Sequence, residues 1–355
     1  MSNPWAAWLR TYDTERFTLA RKQGWDRFVN TARRENFDTL TRPQMARLDQ
    51  DERVDYDEAR MVWNANLPTV RTSQLEHANS IIDMVMASAR RDGDKLRGSV
   101  VIDAEPGLGK TTIATRYGRA FHRAQYRRYG PVTDEGHQFL PVAFIPLSAQ
   151  ITLKGLNQKL LRFYGHPGAD HATKDRLTSL LVDAVTACQT RMIIIDDMHF
   201  VDFGNRHGAE VSNHLKWLSN ELPVTFVFAG VDLEKKRFFD EGRTGHDAVY
   251  AQTARRATRA PVAPFSISTD AGMRAWIALL RAFGNHLKLA DTDAEMLVPH
   301  AQEIHRRTQG RIASLTNLLD RAAYLAITTG DERITDQVLA QVRVDNAGEN
   351  GARHL

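Results

Sequence analysis

Cysteine is almost missing from this sequence: Cys188 stands alone among 355 residues. That excludes an internal disulfide framework and fits a reducing, cytoplasmic setting. Cys188 closes a segment containing Leu180-Leu181-Val182-Asp183-Ala184-Val185, so packing is expected of it and not reactivity. No apolar run approaches membrane-spanning length, and Met1-Ser2-Asn3-Pro4-Trp5 carries no signal-peptide pattern, so no membrane role is expected. The 13 histidines show no metal-ligand spacing, and no nuclease or protease constellation is present. Neither sign of charge dominates, with 47 Lys and Arg against 43 Asp and Glu. A formal net charge of +4 permits a polyanionic partner without demanding one. A 42% hydrophobic, 25% charged chain of this length can build one large α/β domain and a smaller one.

The most informative stretch is Val100-Val101-Ile102-Asp103-Ala104-Glu105-Pro106-Gly107-Leu108-Gly109-Lys110-Thr111-Thr112. A short apolar run, a Gly-rich turn and a Gly-Lys-Thr opening a helical pattern are the strand–loop–helix setting of a P-loop. Gly107 and Gly109 let backbone N–H groups turn inward around a phosphate chain. The cradle runs through Glu105, Pro106, Gly107, Leu108, Gly109, Lys110, Thr111 and Thr112. Lys110 reaches the β- and γ-phosphates as a compact cation, and the Thr111 hydroxyl is suited to Mg²⁺. Ala104 stands where the motif usually begins with Gly, a methyl group that is tolerable if φ stays negative. A nucleotide-binding protein follows.

Along the chain, residues 1–70 read as a polar helical extension carrying Trp5, Trp8, Trp25 and Trp63, whose rings are expected to anchor a core. A helix is expected from Ser73 to Arg91, then the P-loop strand from Ser99. The next helix carries Arg116, Arg119, Arg123 and Arg127 on one face, read as solvated. Further buried strands are expected at Phe139–Leu147, Arg191–His199, Pro223–Gly230 and Ala263–Ile267. Helices are expected at Leu156–Tyr164, Lys174–Gln189 and Asn213–Glu221. Strands alternating with helices imply a three-layer α/β domain on a parallel sheet over 71–268. Only helices are readable over 269–345, at Asp270–Phe283, Asp291–Thr308, Arg311–Thr329 and, after a Thr335 cap, Asp336–Val342. They make an all-α lid domain, with 346–355 as a flexible tail.

Asp196 and Asp197 end a buried strand about eighty residues after the P-loop, with another strand between. Asp196 can hold the Mg²⁺ shell beside Thr111, and the next carboxylate can orient an attacking water. With these two motifs the sequence resembles an AAA+ ATPase. It is similar within that class to the TniB and TnsC group of bacterial transposon ATPases. The narrower likeness runs through Asp196-Asp197-Met198-His199, Asn213 to Leu222, Ala229-Gly230 and Gly310-Arg311-Ile312-Ala313-Ser314-Leu315.

The resemblance implies ATP and Mg²⁺ as cofactors, with Lys110 and Thr111 on phosphate and metal and Asp196 on the metal. Asp197 takes the place of the usual catalytic glutamate, one methylene shorter, which implies slow hydrolysis. Arg311 matches the second sensor arginine of the lid, and Arg255 or Arg256 is the finger completing a neighbouring subunit's site. Val231 follows Gly230 where a polar sensor residue is usual, and only Asp232 is polar. The implied activity is that of an ATP-dependent homo-oligomer, ring or filament, that binds double-stranded DNA and recruits or activates a transposase. The alternatives are a nucleotide-gated signalling or defence switch, and a helicase-loader or chaperone-type ATPase. Thr152 and Lys154, in the polar turn after the second strand, are the expected contacts to DNA phosphates, with Lys159 and Arg162 beyond.

Overall fold

The computed structural model describes residues 3–11, 18–89, 97–202, 206–233 and 257–343. From the N-terminus its helices begin with α1 (Pro4–Thr11), α2 (Lys22–Asn30), α3 (Arg42–Met45), α4 (Gln50–Asn64) and α5 (Ser73–Ser88). Then follow β1 (Ser99–Asp103), α6 (Lys110–Tyr129), β2 (Val142–Pro146), α7 (Leu153–Tyr164) and α8 (Lys174–Ala187). Next come β3 (Met192–Asp196), α9 (Arg206–Glu221), β4 (Thr225–Gly230) and β5 (Ala257–Arg259). The C-terminal helices are α10 (Asp270–Gly284), α11 (Ala301–Thr308), α12 (Ile312–Thr328) and α13 (Asp336–Gln341). These elements form two compact units. A sheet unit holds the described residues within Arg16–Ala32 and Gln74–Ala263, and a helical unit holds those within Met1–Glu15, Arg33–Ser73 and Pro264–Leu355.

In the sheet unit the strands pair in parallel in the order β2-β3-β4-β1-β5. Ile193-Ile194-Ile195 and Phe226-Val227-Phe228 are buried along their whole length. Their unbroken apolar character is what a sheet covered on both faces requires. Because β4 lies between β1 and β3, the carboxyl ends of all three open on one edge, with Asp103 level with Gly230. The edge strand β5 is Ala257–Arg259 and not the expected Ala263–Ile267. Pro264 falls inside the latter stretch and Pro261 just before it, and a proline cannot donate to a ladder. Phe265 instead packs against Trp276 in the helical unit, with its N–H on the Gly310 carbonyl at 2.9 Å.

The helix α2 packs into this unit through Trp25, which is fully buried and stacked on Phe144 of β2. Its indole N–H donates to His122 Nδ1 of α6 at 3.1 Å, and Gly118 leaves room for the ring. The arginine face of α6 is no plain solvated stripe. Arg123 Nε donates to the Val29 carbonyl at 2.6 Å, and Arg119 reaches the Val29 and Thr31 carbonyls. Arg116 and Arg119 also lie over the Phe28 ring. Guanidinium groups thus satisfy the end of α2, where carbonyls are orphaned and the helix dipole is negative.

The helical unit packs α10 to α13 around Trp276, Phe283, Leu315, Leu318 and Ile327. Residues from the first third of the chain are part of it. Arg60 of α4 is wholly buried and donates to both oxygens of Glu332, at 2.6 and 3.0 Å. Lys288 sits over the Phe37 and Trp63 rings at 4.5 and 4.7 Å. The expected helix Asp291–Thr308 is shortened to α11, because turns and Pro299 occupy its first half. The expected Thr335 cap is present, its Oγ1 accepting from the Val338 N–H, and Thr269 Oγ1 likewise accepts from that of Gly272. Among the described residues no helix is long and apolar enough to cross a membrane.

Candidate functional site

The loop after β1 turns on two glycines with positive φ, Gly107 at 79° and Gly109 at 83°. A side chain at either would meet the steric penalty of the left-handed region. Ala104 is not among the residues with positive φ, so its methyl group carries no such cost. It is held by its N–H on the Gly230 carbonyl, 3.2 Å away on β4. Leu108 is buried and pins the loop's centre, while Glu105 and Pro106 face solvent. The helix α6 begins at Lys110, with no side-chain cap and no acidic residue in its first turn. The positive end of its helix dipole therefore faces the loop without a side-chain carboxylate against it, a setting that suits an anion. Lys110 Nζ donates to the Ala104 and Glu105 carbonyls, each at 2.8 Å, so the ammonium folds over the same loop.

Asp196 ends β3 beside this helix. Thr111 Oγ1 donates to Asp196 Oδ2 at 2.5 Å, and the Asp197 N–H donates to Asp196 Oδ1 at 2.8 Å. Both carboxylate oxygens are thus engaged in a residue only 3% exposed. Burial pushes the Asp196 carboxyl above the usual carboxylate range, opposed by the two hydrogen bonds and by Lys110. A hydroxyl and a carboxylate converging in this way are the donor set of a hard cation. Mg²⁺ takes one or two protein carboxylates and fills its shell with phosphate oxygens and water. Among the described residues no group of three or more His, Cys, Asp or Glu could hold a metal. The Thr111 hydroxyl and the Asp196 carboxylate fit such a cation.

Residues 92–238 match the family model described as an AAA domain. The chain has the P-loop AAA+ fold. Its fold is similar to that of the Aeropyrum pernix ORC2 protein in ADPNP–ADP complexes, at 14% identity over 77% of this chain and 68% of that one, with a TM-score of 0.58. The Aeropyrum pernix ORC1 protein in complex with DNA is similar at 16% identity, over 77% of this chain and 65% of that one, with a TM-score of 0.55. Cdc6p from Pyrobaculum aerophilum is similar at 14% identity, over 76% of this chain and 66% of that one, with a TM-score of 0.51. This chain thus spans about two thirds of the length of each of these relatives. No curated protein matches the sequence significantly.

In this AAA+ domain Asp197 adopts the left-handed conformation (φ 59°, ψ 32°), with its side chain 41% exposed beside the buried Asp196. At the end of β4, Val231 and Asp232 follow Gly230, and the Leu233 N–H donates to Asp103 Oδ1 at 3.2 Å. Arg255 and Arg256 lie outside the described residues. Arg311 occupies the N-cap position of α12, directly after Gly310. Gly310 has φ 66°, and a Cβ there would come within 2.0 Å of the Phe265 carbonyl oxygen, so only glycine fits. Thr152 and Lys154 do not form a loop. Thr152 caps α7, accepting from the Gly155 N–H at 3.1 Å, and both side chains are exposed. Lys159 donates to the Pro146 carbonyl and Arg162 to Asp170, so these two cations are engaged within the fold. Sequence reasoning assigns no role to His199, whose Nδ1 lies 3.9 Å from Asp197 Oδ1. Its place at the end of the Asp196-Asp197-Met198-His199 run, two residues after the carboxylate, is the signal that points to it.

Proposed function

We propose that this chain is an ATP hydrolase that binds Mg²⁺ and ATP between Glu105 and Thr112 and uses Asp197 to orient the attacking water. The observation that carries the reading is the meeting of Thr111 and Asp196 at 2.5 Å beside an uncapped helix start and the Lys110 ammonium. Phosphoryl transfer asks a protein mainly for positioning and charge stabilisation, and these residues supply both. Lys110 would leave the Ala104 and Glu105 carbonyls for the phosphates, and Thr111 and Asp196 would hold the metal. Water oxygen bonds to the γ-phosphorus as the bond to the bridging oxygen of ADP breaks, and the water proton passes to Asp197.

In the same reading the ATP-bound form assembles as a homo-oligomer, ring or filament, with Arg255 or Arg256 reaching a neighbour's nucleotide and Arg311 serving as the lid's sensor. It holds double-stranded DNA through the backbone, with Thr152 and Lys154 on phosphates. The finer role is that of a mobile-element ATPase that recruits or activates a transposase, supported by the likeness of Asp196–His199, Asn213–Leu222 and Gly310–Leu315 to that group. A fold similar to an ORC1 protein in complex with DNA supports the nucleic-acid part. Lys110→Ala should abolish ATP binding in equilibrium titration, because the phosphate charge loses its cation; normal affinity would overturn the site. Lys154→Ala should weaken binding to unrelated duplexes alike and flatten the salt dependence by about one unit per lost phosphate contact. An unchanged slope would remove Thr152 and Lys154 from the DNA surface.

A further inference from the structure

The turn that follows Asp197 is built tightly. The Phe200 N–H donates to the Asp197 carbonyl and the Val201 N–H to the Met198 carbonyl, each at 3.0 Å. Met198 is fully buried and anchors the turn in the core of the sheet unit. Asp196 fixes the other side, since its Oδ1 accepts the Asp197 N–H. The backbone from 196 to 201 therefore has little freedom, and it carries His199 to the Asp197 carboxylate. The imidazole Nδ1 is itself buried, 3.9 Å from Asp197 Oδ1, and the Phe200 ring lies 4.3 Å away on the ring's flank. The carboxylate is the more exposed of the two, and the χ2 torsion of an aspartate is soft.

We propose that His199 is a positioning residue for Asp197. Its Nδ1–H donates to one carboxylate oxygen and leaves the other turned toward the water. The inference rests on the hydrolytic reading and deepens it. An aspartate alone has a short reach and rotates, whereas one gripped by an imidazole on a rigid turn presents a single oxygen in one place. The 3.9 Å separation needs to close by roughly 1 Å to become a hydrogen bond, a tightening ordinary for a site without its substrate. The Phe200 ring packs on the imidazole, tilted by 36°, and needs no proton of its own.

The test is steady-state ATP hydrolysis and equilibrium ATP binding by the full chain carrying His199→Ala, His199→Gln or His199→Asn, with Asp197→Asn and the Asp197→Asn/His199→Ala double variant beside them. An asparagine amide nitrogen falls near the position of Nδ1, and a glutamine amide nitrogen near that of Nε2. The alanine and glutamine variants should lose about 10- to 100-fold in kcat, the cost of misplacing a reacting group by about 1 Å. Their ATP affinity should be unchanged, and the asparagine variant should recover most of the rate. Removing His199 when Asp197 is already Asn should cost nothing more, since the histidine acts through that carboxylate. Equal losses in all three variants, a parallel loss of ATP affinity, or a full second loss in the double variant would each overturn the pairing alone. A wild-type chain that binds ATP and never hydrolyses it would overturn the hydrolytic reading, and the pairing with it.

Discussion

Replacing Trp25 is the sharpest test of how the sheet unit is held together. The indole is fully buried, stacked on Phe144 with ring centroids 6.0 Å apart, and donates to His122 Nδ1 at 3.1 Å. Trp25→Ala opens a cavity between α2, α6 and β2, and such large-to-small changes cost about 3–5 kcal/mol. It also strands the His122 acceptor in a buried site, which adds about 1 kcal/mol or more. The expected loss of about 4–6 kcal/mol is a large part of the roughly 5–15 kcal/mol that holds a domain folded. Trp25→Phe keeps a ring against Phe144 and loses the donor, so about 1–3 kcal/mol is expected. Urea unfolding followed by far-ultraviolet circular dichroism is the assay, because five other tryptophans obscure a fluorescence signal. A loss below about 1 kcal/mol for Trp25→Ala would refute the reasoning, since a fully buried indole cannot be that cheap to remove.

Acid should weaken the same unit. Burial pushes His122 and His214 down to about 4 from 6.5, so between those values the unfolded chain binds protons that the folded chain refuses. Their contribution is complete above pH 6.5 and falls away as the pH drops toward 4, by on the order of 3 kcal/mol for each. Urea midpoints at about pH 7.5, 6 and 5 should decline, and His122→Asn should make the decline shallower; identical slopes would count against the account. In the helical unit, Arg60→Met removes the buried guanidinium that donates to both Glu332 oxygens and should cost about 3–5 kcal/mol. A melting curve barely altered by that change would mean that α4 is not part of the unit's core.

The phosphate cradle is legible in the amino-acid order because its chemistry is local. Gly107, Gly109, Lys110 and Thr111 act through backbone conformations and side chains within one turn, and residues adjacent in sequence are adjacent in space. The buried parallel strands are legible for a related reason. Val100–Ile102, Met192–Ile195 and Phe226–Phe228 are covered on both faces, and that demand writes itself as an unbroken apolar run. The fifth strand escapes the pattern because β5 is a three-residue edge strand with little buried surface, and so leaves almost no apolar signal.

Only the tertiary structure decided what the arginines and the early tryptophans do. At helical spacing a row of four arginines is what a solvated face looks like, and nothing local announces that the carbonyls of Val29 and Thr31 will be brought to it from about ninety residues away. The same holds for the first third of the chain. Composition marks it as helical, but it is long-range pairing, Trp25 with His122 and Arg60 with Glu332, that assigns 18–32 to the sheet unit and 33–64 to the helical one. Those partners are 97 and 272 residues apart, beyond the reach of any periodicity. The approach of His199 to Asp197, at 3.9 Å, falls between the two cases. The residues are neighbours in sequence, yet their meeting depends on a left-handed backbone at Asp197 that is held in place from Asp196, whose other oxygen is held by Thr111 across the sheet edge.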